Sequence, residues 1–209
     1  MTQTLLDLIP GFLSAFLLNL QVGMFALLGG ILIGLPLTWL IIRGSLLGKA
    51  SEYLIAFMRA FPVFVMMFVL LNFFSETLHS LLPTLESLHK ITLIAALCTY
   101  SASAISDAAK DSWHNFCRSE YAETLLIIPN MFRIFTILVM SSSIGAAIGV
   151  KEAVSYTLIH IEIMPDPLDR IMTVFIVTVF FMLFFSTFRF AMYWLVQRIT
   201  TLNPWRQAS

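Results

Sequence analysis

From Leu8 to Ile42 the chain carries no charged side chain, and further apolar stretches follow, each bounded by polar or charged residues. A helix needs about 20 apolar residues to cross a hydrocarbon core of roughly 30 Å, and lipid leaves no backbone group a partner outside the helix. The pattern predicts about five transmembrane helices, near 14–42, 53–75, 91–109, 131–150 and 171–197, in one domain over residues 1–209. The fold class is an all-α membrane bundle. The first run exceeds one crossing, so residues 11–18 either lie at the interface or extend a tilted helix. Pro36 is tolerable there, because neighbouring helices satisfy the carbonyl it frees.

Composition agrees with that pattern. Hydrophobic residues make up 59% of the 209 and charged residues 11%, against about 45 to 50% apolar in soluble domains. The first apolar run is too long for the core of a cleaved signal peptide and no Lys or Arg precedes it, so it is expected to stay attached. A formal net charge of zero gives no reason to invoke nucleic acid. Cys98 falls in an apolar segment and Cys117 in a polar one, which speaks against a disulfide framework.

Lys and Arg set the orientation. With the N-terminus outside, the inside holds Arg43, Lys49, Lys110, Arg118, Arg133, Arg189, Arg198 and Arg206. The outside keeps Lys90, Lys151 and Arg170 beside Glu76, Glu86, Glu152, Glu162, Asp166 and Asp169. Retention of basic residues on the cytoplasmic side predicts N-terminus out and C-terminus in, with 110–123 as the main cytoplasmic loop.

Arg59 lies inside the second predicted span, where a charge needs a route to water or a partner. Two readings stand: snorkelling to the interface, or an intramembrane ion pair with Asp107 at the same depth. In the third span, Thr92, Thr99, Ser103, Ser106 and Asp107 share an arc of roughly 100°. Such a stripe serves interhelical hydrogen bonding or a solute path; the candidate path is Thr99, Ser103, Ser106 and Asp107 with Ser141, Ser142 and Ser143. Gly30 with Gly34, and Gly145 with Gly149, are spaced for close helix packing.

Enzyme readings fail on the residues. The segment from Gly44 to Ala50 is one residue short of a phosphate loop, lacks Ser or Thr after Lys49, and follows an apolar helix instead of a strand. His79, His89, His114 and His160 lack metal-ligand spacing, so no metal is expected. Asp107 is the single acid near a span core, which disfavours a paired-aspartate protease.

The order of features resembles the membrane (permease) subunit of bacterial type I ABC importers, closest to the polar amino acid uptake permeases. Four pieces carry the likeness: Leu18-Asn19-Leu20-Gln21-Val22 with Gly29, Gly30 and Gly34; Phe57-Met58-Arg59-Ala60-Phe61-Pro62; Ser101 to Asp107; and Ile144 to Glu152. The resemblance implies a transport subunit without its own ATPase site, in the bacterial inner membrane. It implies no cofactor in this chain, with ATP on a partner ATPase subunit. A second permease subunit, identical or similar, and an extracytoplasmic solute-binding protein docking on the outer loops 76–90 and 151–170 are the other implied partners, besides membrane lipid. The solute implied is small and polar, an amino acid. The family's cytoplasmic Glu-Ala-Ala loop corresponds to Arg118, Glu120, Tyr121, Ala122 and Glu123, where only Ala122 and Glu123 match and the glycine turn is missing. That departure keeps a second reading open, a non-transporting scaffold or degenerate permease partner. An ion-driven transporter ranks third, because no internal repeat is visible.

Overall fold

The computed structural model describes residues 2–78, 85–118, 124 and 126–201. Among them every regular element is helical: α1 (Thr2–Ile42), α2 (Leu46–Ala60), α3 (Val63–Leu78), α4 (Leu85–Cys117), α5 (Ile127–Ser141), a 3-10 turn (Ser142–Ile148), α6 (Ala153–Glu162) and α7 (Pro167–Thr201). Four stretches are long and apolar enough to cross a membrane: Leu8–Ile42, Glu86–Cys117, Ile127–Ile148 and Pro167–Trp194.

The second predicted span, 53–75, is corrected. It is two helices, and Leu46–Ala60 meets Val63–Phe73 at a bend of 102°. A proline pushes the residue before it out of the helical region. Phe61 duly sits at φ −82°, ψ 122°, and the helix stops at Ala60. The third predicted span is also longer than 91–109. Lys110 to Cys117, expected as loop, continue α4 for two further turns.

Local chemistry accounts for several further ends. Gly44 turns the chain at φ +67°, and Ser45 caps α2 by accepting from the Gly48 N–H at 3.1 Å. After α5 the chain tightens into the 3-10 turn and stops at Gly149, whose φ of +84° suits glycine. Asp166 accepts from the Leu168 N–H at the start of α7.

One stripe of α1 organises the bundle. Leu8, Phe12, Ala15, Phe16, Asn19, Val22, Ala26 and Thr38 are buried at helical spacing, with Gly23, Gly30 and Gly34 on the same face. In its lower half this face is nearly free of side chains and lies on α4. A Cβ on Gly34 would lie 2.6 Å from the Ala102 carbonyl oxygen, and one on Gly30 would collide with Ser101. Ser101 Oγ donates to the Ala26 carbonyl at 2.7 Å, and Thr38 Oγ1 donates to Ser106 Oγ at 2.8 Å. Contacts that advance together along both helices make α1 and α4 parallel. Against α5 and α6 the order reverses, since Gly23 faces Val139, Asn19 faces Ser142 and Gly11 faces Tyr156, so those elements run antiparallel to α1.

The upper half of the stripe is large. Phe12 and Phe16 meet Phe180, Phe181 and Phe184 of α7 edge to face at 4.7 to 6.2 Å, a favourable aromatic geometry. Elsewhere on α7, Ile171, Phe175, Met182 and Leu183 are exposed apolar side chains, as suits a face turned to lipid.

Gly34→Ala tests the seam. The added methyl meets backbone that cannot rotate away, so the variant is expected to lose about 1 to 3 kcal/mol, the usual cost of overpacking. Thermal unfolding in detergent reads this as a lowered midpoint, with Leu32→Ala on the exposed face as the unchanged control.

Candidate functional site

Among the described residues, two polar clusters join different helices of the bundle through side chains. The first is buried where the stripe of α1 changes from small to large residues. Asn19 is fully buried, and its Nδ2 donates to Ser142 Oγ at 2.8 Å and to Glu152 Oε2 at 3.0 Å. Its Oδ1 accepts from the Ala153 N–H at 3.0 Å. Glu152, 1% exposed, caps α6 by accepting from the Val154 N–H at 2.9 Å and the Ser155 N–H at 2.8 Å. Ser142 Oγ closes the cluster by donating to the Val139 carbonyl at 2.7 Å. Three consecutive elements, α5, the 3-10 turn and α6, are thereby tied to one side chain of α1.

Glu152 lies between the crossings, and burial is the main influence on it, pushing its carboxyl above the ordinary value. The Val154 N–H, Asn19 amide, Ser155 N–H and Ser143 hydroxyl oppose that rise by stabilising the anion. Every neighbour that stabilises the charge is a neutral donor.

The second cluster is at the end of the bundle where α1 finishes. Arg59 Nη2 lies 2.6 Å from both Asp107 Oδ1 and Oδ2, and Lys110 Nζ lies 3.3 Å from Oδ1. The Arg59 and Asp107 side chains are 55% and 41% exposed. The contact therefore belongs to the rim of the bundle, and such exposed pairs contribute on the order of 0 to 1 kcal/mol in water. Arg59 occupies the last turn of α2 immediately before the break, so the pair fastens the corner between α2 and α3 to α4.

The other candidates are distributed as follows. Ser106 is fully buried against Thr38. Ser103 is buried and donates to the Tyr100 carbonyl at 2.8 Å. Thr99, partly exposed, donates to Ala96 at 2.7 Å. Ser142 is fully buried, while Ser141 and Ser143 are partly exposed. Most of the hydroxyl stripe thus closes back onto its own helix or onto α1. Arg118 is exposed just past α4, and Glu120, Tyr121, Ala122 and Glu123 lie outside the described residues. Among the described residues no group of His, Cys, Asp and Glu is placed to hold a metal.

Asn19 and Glu152 carry more of the buried hydrogen bonding than any residue singled out for function in the sequence. The available signal was an amide in the charge-free first run, facing the same way as the glycines.

No family model and no curated protein matches the chain. A solved structure described as the crystal structure of an amino acid ABC transporter with histidines is similar in fold, with a TM-score of 0.77 and 15% identity. The likeness covers 94% of this chain and 97% of that one. It shows that the bundle has the fold of a chain from an ABC transporter over nearly its whole length.

The buried carboxyl has a pH signature. A raised folded-state value means that the contribution of Glu152 is fully present below its ordinary carboxylate value and is lost as pH rises through the raised one. The unfolding midpoint of the purified protein is expected to fall over that interval more steeply than in Glu152→Gln. Equal pH slopes in the two proteins would remove Glu152 as the cause.

Proposed function

We propose that the chain is the membrane-spanning subunit of an ATP-driven importer that moves a small polar solute, an amino acid, across the bacterial inner membrane. The observation that carries this reading is the shared fold over nearly the full length of both chains. The sequence likeness at Phe57 to Pro62 and Ile144 to Glu152 supports it, because these segments form the broken helix and the Glu152 cap.

In this reading the chain is a single permease domain that pairs with a second permease subunit, identical or similar, around a solute path. ATP binds and is hydrolysed on attached ATPase subunits, and a solute-binding protein delivers the solute to the outer loops. The N-terminus is outside and the C-terminus inside. Residues 118–124 then contact the ATPase, with Glu123 as the polar contact. Alternating access proceeds by rigid-body rocking of packed elements. The side-chain-poor seam of α1 on α4 and the Asn19 node suit a body that moves as one piece. The corner at Phe61 and Pro62, fastened by Arg59 and Asp107, suits a joint. Asp107 remains a path candidate because its carboxylate is partly exposed, as do Thr99 and Ser141, whereas Ser103, Ser106 and Ser142 support the path by packing.

A second reading, a non-transporting scaffold, draws on one observation. Only residues 118–126 separate α4 from α5, a short stretch for a docking element.

Reconstitution with a partner ATPase and binding protein discriminates the two. Amino acid uptake into proteoliposomes that requires ATP, and that falls at least tenfold when 118–124 is replaced by a glycine and serine linker, is the expected result. A stable complex with no ATP-dependent uptake of any amino acid would establish the scaffold.

A further inference from the structure

The helix α2 has three faces. At about 100° per residue, Gly48, Ser51 and Ile55 form one face, buried against α1 and α4. Lys49, Glu52 and Arg59 form a second, polar and exposed. Leu46, Leu47, Tyr53, Leu54 and Phe57 form a third, which is apolar and also exposed, with Leu46 at 85% and Tyr53 at 78%. A helix in water has no use for the third face, and one sunk in lipid has none for the second.

Its placement explains the division. At its start, Gly48 packs on Leu40 and Ile41 in the last turn of α1. At its end, Arg59 reaches Asp107, the neighbour of Ser106, which bonds Thr38 of α1. Both ends of α2 are therefore level with the final turns of α1, although 15 residues of helix are about 22 Å long. The 102° bend to Val63–Phe73 says the same from the other side. The helix runs across the end of the bundle and not along it.

We infer that α2 is an in-plane helix seated in the boundary of an anionic lipid bilayer, and that α3 alone forms the second crossing. Leu46, Tyr53, Leu54 and Phe57 enter the acyl boundary, and Trp39 and Ile42 late in α1 and Phe64 and Val65 early in α3 are likewise exposed apolar side chains. Arg43 and Lys49 meet the headgroups. The Arg43 guanidinium lies 3.5 Å from the centroid of the Trp39 ring, a cation and an aromatic ring placed together at the end of a crossing. With Arg59 held by Asp107, two cations against Glu52 leave the exposed polar surface basic. An amphipathic segment of this kind binds lipid through its buried apolar area plus attraction to anionic headgroups. The crossing by α3 begins at Val63, immediately past the corner. The inference is independent of the transport reading.

The test uses the full chain with Cys98→Ala and Cys117→Ser, reconstituted in vesicles of phosphatidylcholine with or without phosphatidylglycerol. Single nitroxide labels are attached through Leu46→Cys, Lys49→Cys, Glu52→Cys, Tyr53→Cys and Phe57→Cys, all at exposed positions. Oxygen collisions are expected to exceed those of a water-soluble nickel chelate at 46, 53 and 57, and the order to reverse at 49 and 52. Phosphatidylglycerol should move the label at 53 deeper, and Arg43→Gln with Lys49→Gln should abolish that shift. Nickel dominance at 53 and 57 would place the face in water and overturn the inference. Exclusion of both reagents would show a second copy or another protein covering it, with the same consequence. Depth independent of lipid charge would overturn the headgroup contact.

Discussion

The close approach of α1 and α4 is the constraint on which the bundle depends. Two apolar helices in lipid gain little by hiding greasy side chains from greasy surroundings, so their association rests on packing and interhelical hydrogen bonds. Gly30 and Gly34 bring the backbones together, and Ser101 and Thr38 bond across the gap thus created. The α4 helix is the most enclosed of the four long spans, and the Val22, Met67, Leu97 and Leu138 side chains of four different helices join one core beside the seam. A larger side chain anywhere along it would separate α1 from the helix around which the others gather.

Above the seam the packing logic changes. The stripe of α1 becomes phenylalanine, and at the change a single amide, Asn19, holds the chain that leaves α5. Because Asn19 and Glu152 both lie out of contact with solvent, each depends on the other for partners, and loss of either leaves buried donors or acceptors unmet. The node makes α5, the 3-10 turn and α6 follow α1. Its counterpart at the opposite end, Arg59 with Asp107, is exposed and correspondingly weaker. The α1–α4 seam and the Asn19 node hold the body of the bundle, while the corner between α2 and α3 is fastened at its rim.

The fold is shared with a chain of an ABC transporter at 15% identity, a level at which few side chains are held in common. Common fold with divergent side chains is the expected result when lipid restricts the backbone to helices and small residues set their spacing.

The sequence by itself determined that the chain is helical and membrane-embedded, since long charge-free runs permit no other backbone in lipid. It offered Asp107 as one of two answers for Arg59, the other being snorkelling to the interface, and it carried the packing of the Gly30 and Gly34 face. Only the tertiary structure decided that the second apolar stretch is a corner: hydropathy averages over Phe61 and Pro62, whereas the direction of a chain depends on two dihedral angles. The hydroxyl stripe of α4 was legible as a stripe, but which surface it faced depended on the neighbour that α1 supplied. Glu152 was counted among outer-side acids because charge counting ignores burial, and its enclosure arises from Asn19, a residue 133 positions away, by a contact that no local pattern encodes.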